Sequence, residues 1–169
     1  HCVALMAEHD LDEIVAIVCD GYGYGSNGQA WGGEILGCVR DGNFQRLGHL
    51  EEQPLVGNDL ATRYPLRIAA GILTKVVDFD TWLFSNSARF PHGKKEVELV
   101  LQQLKKGQVA KTTSCGRVLD AVSAVLGLCF ERTYEGEPAM KLESAAVNGR
   151  NVLKLEPMIK NNVLDTTEM

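Results

Sequence analysis

Residues 14–37 read IVAIVCDGYGYGSNGQAWGGEILG, and the rest of the chain is organised around this stretch. The apolar run at 14–19 is too short for a stand-alone helix and is rich in β-branched residues, which favours a buried central strand. A glycine-dense loop entered through Asp20 follows, and a second strand then returns against the first. Glycine tolerates φ > 0, and successive N–H groups exposed in this way form an anion-binding concavity. The stretch therefore predicts a candidate phosphate loop.

The same loop has a simpler interpretation. Asp-Gly at 20–21 and Asn-Gly at 27–28 are common tight-turn dipeptides, so the glycines can serve a hairpin on which Tyr22 and Tyr24 pack. No Gly-Lys-Ser/Thr follows, which excludes a Walker A loop, and a strand rather than a helix comes next, which excludes a dinucleotide fingerprint. The residues alone leave both the phosphate loop and the hairpin open.

Composition argues against two classes of partner. The chain has 169 residues, of which 45% are hydrophobic and 23% charged, as expected for one globular domain with a core. No apolar run reaches the roughly 18 residues that a membrane span needs. The formal net charge of −5 argues against a protein that grips a phosphate backbone. We therefore expect neither a membrane nor a nucleic acid as partner.

The five cysteines, at 2, 19, 38, 115 and 129, are an odd number. No two of them have the short spacing of a zinc knuckle, and three lie within apolar runs. This pattern indicates reduced, mostly buried thiols in a cytoplasmic protein. The chain begins with histidine and carries no signal peptide, so we expect it to be an excerpt of a longer polypeptide.

Hydrophobic periodicity predicts a helix that ends near residue 11, an antiparallel meander of three strands, and then helices. The predicted strands are 14–19, 30–39, 44–50 and, near the C-terminus, 151–157. The first predicted helix has Asp59 as its N-cap, accepts Pro65 in its first turn and shows helical spacing from Leu66 to Val76. The other predicted helices are 95–106, 116–128 and 139–146. In the helix at 95–106 Glu96 faces solvent, and Gly107 stops the helix. The segment 78–93 gives no clear pattern.

The predicted helix at 116–128 has two different faces. A wide apolar face is formed by Val118, Leu119, Val122, Val125 and Leu126. The second face is small and polar and carries Arg117, Asp120, Ala124 and Gly127. A helix of this kind can lie close to a ligand along its small face. The alternative, which spacing alone favours, is an Arg117–Asp120 pair at i, i+3 on a solvated surface.

Three motifs occur in order along the chain. They are DGYGYG at 20–25 with WGGE at 31–34, TSCGRVLD at 113–120 leading into Leu-Gly, and YEGEPAM at 134–140. Together with MAEH at 6–9, they resemble the hydrogenase maturation carbamoyltransferase family HypF over residues 1–145. Tyr22 departs from the family pattern, which usually has a smaller residue, and Glu137-Pro138 replaces a commoner Gln-Ala.

The resemblance implies an α/β fold with a mixed sheet. The implied architecture is an actin-like ATPase or ribonuclease H-like lobe, in which an antiparallel β-meander is followed by helices, and it is incomplete here. Residues 1–11 would be the end of a helix from the preceding lobe. Residues 12–169 would be the second lobe of a TsaD-like carbamoyltransferase domain, without its C-terminal part.

The resemblance also implies a reaction. The family uses carbamoyl phosphate and ATP, through carbamoyladenylate, to carbamoylate the C-terminal cysteine of HypE on the route to the cyanide ligands of nickel–iron hydrogenase. The chain alone is expected to be inactive, because the acylphosphatase-like, zinc-finger and YrdC-like parts are absent from it. One alternative is a non-catalytic scaffold or protein-binding fragment. Another is a TsaD-like tRNA-modifying protein, against which the WGGE and YEG motifs and the acidic charge speak.

Site residues are implied at the positions that match the family motifs. His1 and Asp20 match metal ligands, so a divalent metal ion (iron, zinc or magnesium) is expected beside ATP, with a HypE-like protein as carbamoyl acceptor. The implied nucleotide contacts are Gly21, Gly23 and Gly25 at the phosphates, Asp120 at the ribose, and Gly136 with Glu137 at the turn that flanks the nucleoside. Imidazole and carboxylate can together hold a cation that orients an acyl phosphate.

Overall fold

The antiparallel meander predicted for the first third of the chain is present in the computed structural model, which describes residues 1–76 and 78–167. A helix precedes it, as predicted, at α1 Cys2–His9. The strands of the meander are β1 Glu13–Tyr24, β2 Ala30–Val39 and β3 Phe44–Leu50. β1 and β3 each pair antiparallel with β2, which therefore lies at the centre. The assignment of residues 1–11 to a preceding lobe and of 12–169 to a second lobe stays a prediction.

Short strands enlarge the meander into a mixed sheet. In the described ranges they are β4 Gln53–Pro54, β5 Lys111–Thr112, β6 Ile159–Lys160 and β7 Val163–Leu164. β5 runs parallel to β2 and β7 runs parallel to β3, whereas β4 and β6 pair antiparallel with β5 and β7. The sheet is thus mixed, as the resemblance implied.

The predicted strand at 151–157 is wrong. These residues have no regular secondary structure. Three of its apolar side chains, Val152, Leu153 and Leu155, are exposed. A strand needs a paired edge, and the edge of β3 is occupied by β7 a few residues further along the chain. Alternation of apolar residues is therefore not sufficient for a segment to join the sheet.

Helices follow the meander. They are α2 Asp59–Arg63, α3 Leu66–Leu73, α4 Phe79–Ser85, α5 Lys94–Lys106, α6 Cys115–Val125 and α7 Glu137–Ala146, with a 3-10 turn at Ser87–Arg89. α5 ends at Gly107 with φ 66°, as predicted. The two helices α4 and α5 pack with α3 around one core, to which Val56, Phe90 and Ala124 also contribute.

The prediction of one helix from Asp59 to residue 76 is wrong in its continuity. The helix is broken at Tyr64, whose φ of −116° and ψ of 89° are not helical. Proline disfavours the α conformation in the residue before it, and Pro65 is that proline. The N-cap of the first segment is Asn58 rather than Asp59. The two segments are α2 and α3.

Glu96 does not face solvent, contrary to the prediction. It is buried on α5, and its Oε1 lies 2.7 Å from Nη2 of the equally buried Arg67 of α3. Arg67 Nε also donates to Oε1 at 2.8 Å, and the backbone N–H of His92 donates to Oε2 at 3.0 Å. A buried charge is tolerated when it is paired and hydrogen-bonded, because these contacts offset its desolvation.

Replacing Glu96 with glutamine is expected to lower the free energy of unfolding by about 3–5 kcal/mol, because Arg67 is left as a buried charge without a counter-charge. Urea denaturation of the purified chain measures the loss. Glu98→Gln is the matched control, since Glu98 is exposed on the same helix and should change stability by no more than about 0.5 kcal/mol. Equal losses in the two variants would contradict the importance of the buried pair.

Candidate functional site

β1 continues through the segment that was predicted to be a loop. Cys19 pairs with Gly33 and Gly23 with Trp31, so residues 20–22 of β1 oppose the single residue Gly32 of β2. The segment is therefore a β-bulge within a strand. None of the predicted phosphate glycines at 21, 23 and 25 has φ > 0, whereas Gly28, in the hairpin turn, has φ 76°. The loop prediction is wrong in this respect, because pairing with β2 keeps the backbone extended; the predicted phosphate contacts stay a prediction.

Asp20 and His1 lie side by side, as the implied metal site requires. Asp20 Oδ2 is 4.0 Å from His1 Nε2. The other oxygen, Oδ1, accepts the N–H of Gly21 at 2.6 Å and that of Tyr22 at 3.4 Å, which stabilises the bulge. Two ligands of one zinc-like ion lie at most about 4 Å apart, since each bond is about 2.1 Å long. No third histidine, cysteine, aspartate or glutamate joins them within the described ranges. Their role as ligands stays a prediction.

The N-terminus of α6 is held against this bulge. Ser114 is the N-cap, and its hydroxyl accepts the N–H of Arg117 at 3.2 Å. The same hydroxyl is 2.7 Å from the Asp20 carbonyl oxygen, to which it donates. A Cβ on Gly116 would stand 2.9 Å from the Cα of Gly21, so only glycine permits this approach. The first turn of α6 is thus in direct contact with the bulge.

Glu34 links three segments around the bulge. Its carboxylate is buried, and Oε2 accepts the N–H groups of Gly32 at 2.6 Å and Gly33 at 2.7 Å. Oε1 accepts a hydrogen bond from Arg46 of β3 at 2.9 Å and another from the Thr113 hydroxyl. The glutamate of the WGGE motif therefore acts on the protein's own backbone and side chains, and it fixes the strand that leads into α6.

The small face of α6 points inward. Arg117 and Asp120 are buried, with Nη2 2.8 Å from Oδ2, so the solvated-surface interpretation of this pair is wrong. The apolar residues of the other face are partly or largely exposed, and they include Leu119, Val122 and Leu126. Arg117 lies between Asp120 and the bulge. Its Nη2 would be 3.7 Å from a Cβ atom added to Gly21. In this conformation the Asp120 carboxylate is engaged by Arg117 rather than presented at the surface.

Burial shifts the titration of this pair. It raises the pKa of Asp120 to about 6, although Arg117 and Arg132 act in the opposite direction. Burial also lowers the pKa of Arg117, against the attraction of Asp120. Desolvation disfavours a charge in the protein interior, and here it outweighs the Coulomb attraction for both partners. A carboxyl group that titrates near neutral pH thus lies beneath the bulge.

The YEG motif forms the turn that begins α7. Gly136 has φ 77° at the N-cap, and nothing lies near its Cβ position. Glu137 accepts the N–H and the hydroxyl of Thr133 at 2.6 and 2.8 Å and pairs with Lys141 at 2.7 Å. These contacts, that of Lys141 first, lower the pKa of Glu137 to about 2. The Glu137 carboxylate therefore holds the turn in shape.

An open groove of about 520 Å³ lies between this turn and the bulge. Its lining joins the end of β1, helix α2 and the segment before α7, and consists of Tyr22, Asp59, Thr62, Arg63, Arg132, Thr133, Tyr134 and Glu135. Arginine and tyrosine side chains along one groove are suited to phosphate and to a planar base. The structure thus brings the first and third motifs to one surface.

A family model described as "Carbamoyltransferase, Kae1-like Domain, second subdomain" matches residues 16–169. "Probable carbamoyltransferase HypF" of Methanocaldococcus jannaschii is 46% identical over 100% of this chain and 22% of its own length. "Carbamoyltransferase HypF" of Synechocystis sp. is 36% identical over 85% of this chain and 21% of its own length. The chain belongs to the HypF carbamoyltransferase family.

Two solved HypF structures share the fold. The crystal structure of T. kodakarensis HypF superposes with a TM-score of 0.83 and 43% identity, over 96% of this chain and 22% of that one. Full-length HypF in the phosphate- and nucleotide-bound form gives 0.82 and 32%, over 98% and 26%. The predicted mixed α/β fold of the actin-like ATPase type is confirmed. The chain spans about a quarter or less of the HypF proteins named here.

Sequence reasoning gave no role to three residues of the candidate site. Ser114 stands three residues before Arg117 at a helix start, which is an N-cap signal that was available. Glu34 has no local signal beyond its motif, since its partner Thr113 is distant in sequence. Arg132 lies in a polar loop without periodicity, and no local signal marks it.

In the described ranges no helix is long and apolar enough to cross a bilayer.

The pKa of Asp120 predicts a distinctive pH dependence of stability. Because the folded-state pKa of about 6 lies above the ordinary value of 3.8, the folded chain retains a proton between these values that the unfolded chain has released. Asp120 therefore makes the free energy of unfolding fall as pH rises through this window, by a few kcal/mol at most (~3). In Asp120→Asn this fall should disappear, whereas the exposed Asp12→Asn should retain it. Urea denaturation from pH 4 to 7 measures the slope; identical profiles for all three proteins would contradict the assignment.

Proposed function

We propose that this chain forms part of the nucleotide and metal site of a HypF carbamoyltransferase. The parent protein would use carbamoyl phosphate and ATP, through carbamoyladenylate, to carbamoylate the C-terminal cysteine of a HypE-like protein. The observation that carries the proposal is the pair His1 and Asp20, 4.0 Å apart, in which Asp20 lies on a bulge held against the N-terminus of α6. The solved full-length relative described as phosphate- and nucleotide-bound supports it.

His1 and Asp20 would supply two ligands of a divalent cation. One imidazole nitrogen and one carboxylate oxygen suit iron or zinc, and the oxygen suits magnesium. The His1 side chain is exposed, and Asp20 Oδ2 faces it, so both donors can be reached from outside. A bound ion would polarise a phosphoryl oxygen as a Lewis acid. The remaining ligands would come from other parts of the parent protein.

The bulge would bind phosphate through its backbone. The N–H groups of Gly21 and Tyr22 are now donated to Asp20 Oδ1. If the Asp20 carboxylate turns towards His1, both N–H groups become available to a phosphate oxygen. Gly23 and Gly25 would continue this surface, and the nucleoside would lie in the groove beside Gly136. Asp120 would reach a ribose only if Arg117 moved away from it, since the carboxylate is buried.

A second candidate function is that of a non-catalytic scaffold or protein-binding fragment. The observation that favours it is the exposure of apolar side chains on α6 and β1, among them Val15, Ile17, Val122 and Leu126. Exposed apolar side chains on one face of a strand or helix are typical of contact with another protein segment. The tRNA-modifying alternative has no such support, because the net charge of −5 opposes a polyanion.

Asp20→Asn in the intact parent is expected to lower carbamoyl transfer by at least tenfold, equivalent to ~1.4 kcal/mol of transition-state stabilisation. Asparagine keeps the local hydrogen bonds of the bulge but removes the anionic oxygen that a cation needs. Metal content and carbamoyladenylate formation are measured alongside thermal stability. Asp41→Asn is the matched control, because Asp41 also precedes a glycine and accepts a backbone N–H two residues on. Unchanged metal content and unchanged carbamoyl transfer in Asp20→Asn would show that Asp20 has only a structural role in the bulge.

The chain by itself is expected to show no carbamoyl-phosphate-dependent conversion of ATP to AMP. Among the described residues it brings only two candidate metal ligands together, and its groove is open, so an acyl adenylate would be exposed to water. The assay compares the purified chain with the intact parent at equal concentration. Turnover by the chain alone would show that the site is complete within these residues, and an inactive parent would favour the scaffold.

A further inference from the structure

Four of the five cysteines face one another in two pairs, a feature that the proposed carbamoyl transfer does not use. Cys2 interacts with Cys38, and Cys19 interacts with Cys115. All are free thiols. The second pair links β1 to α6, two elements that are far apart in sequence.

Backbone contacts beside the second pair hold its two thiols together. Asp20, which follows Cys19, accepts a hydrogen bond from Ser114, which precedes Cys115, at 2.7 Å. On the other side of Cys115, the Cβ position of Gly116 is 2.9 Å from the Cα of Gly21. Disulfides need closely spaced backbones, and such contacts provide them.

An oxidant can reach this pair from solvent. Cys19 is exposed, and Cys115 is partly buried. Both thiols line an apolar cavity of about 430 Å³, together with Ile35, Leu50 and Ile159. No ion pair or hydrogen bond described above depends on either sulfur, so joining them would not remove a contact of the site. The pair thus combines access for a small reagent with a partner thiol held in place.

We propose that Cys19 and Cys115 are a thiol-oxidation site that forms a reversible disulfide by exchange with a disulfide oxidant such as glutathione disulfide. The Cys19 thiolate attacks one sulfur of the oxidant, which releases one glutathione thiolate and leaves a mixed disulfide. The Cys115 thiolate then attacks the Cys19 sulfur and releases the second glutathione. Two protein thiols are oxidised, one disulfide is reduced to two thiols, and the two protons pass to the glutathione thiolates. The bond would fix the start of α6 to the bulge that carries Asp20.

The test uses the intact parent polypeptide, equilibrated with mixtures of glutathione and glutathione disulfide, quenched by alkylation and mapped by mass spectrometry. The peptides that carry Cys19 and Cys115 are expected to be joined by a disulfide. A Cys2→Ser background removes the other facing pair. Cys129→Ser is the matched control, because Cys129 is a free thiol outside both facing pairs and should leave the cross-link unchanged.

The native fold should favour the cross-link over the unfolded chain. The equilibrium constant for its formation against glutathione is expected to be at least tenfold higher in buffer than in denaturing urea, because the fold holds the two thiols together. In Cys115→Ser, Cys19 should carry only a glutathione adduct. A native protein in which Cys19 stops at that adduct although Cys115 is present, or in which the constant is the same in urea, would overturn the proposal. This outcome is independent of whether the parent transfers carbamoyl groups.

Discussion

Glu34 is only 2% exposed, and its carboxylate accepts hydrogen bonds from the backbone at Gly32 and Gly33, from Arg46 and from Thr113. A buried carboxylate is tolerated only when such partners replace water. The consequence reaches the candidate site, because Thr113 leads directly into the N-cap of α6, whose hydroxyl holds the bulge at Asp20. One buried anion thus joins β2, β3 and the start of α6, and the candidate ligand Asp20 lies on the bulge that these elements hold in place.

The inward orientation of the small face of α6 has two consequences, one unfavourable and one favourable for stability. It buries an arginine and an aspartate, and such pairs add little net stability because both charges lose their hydration. It also lets small residues of α6, Ala121 and Ala124, pack in the cores that α3 helps to form. We interpret the retained pair as part of the site, since Arg117 lies between Asp120 and the bulge.

Family similarity and the geometry of the chain give different kinds of information about this protein. Family similarity identifies the chain as part of a carbamoyltransferase-type protein, and it covers nearly all of the chain. The geometry adds that His1 and Asp20 meet, although 19 positions separate them in the sequence. It also adds that Glu34 and Glu137 of the motifs are committed to internal hydrogen bonds. Some motif residues, such as Glu34 and Glu137, therefore stabilise the structure through internal hydrogen bonds, whereas others, such as Tyr22 and Tyr134, line the groove.

The sequence by itself determined the meander, the stop of α5 at Gly107 and the order of the motifs, because strand alternation, helix periodicity and glycine capping are local properties of the backbone. The break at Tyr64 also has a local cause, because a residue before proline avoids the α conformation. Only the tertiary structure decided that Glu96 and the Arg117–Asp120 pair are buried, that 151–157 pairs with no strand, and that residues 20–22 form a bulge. Periodicity shows which residues share a face. Which face is covered depends on the elements that pack against it, and those are distant in sequence.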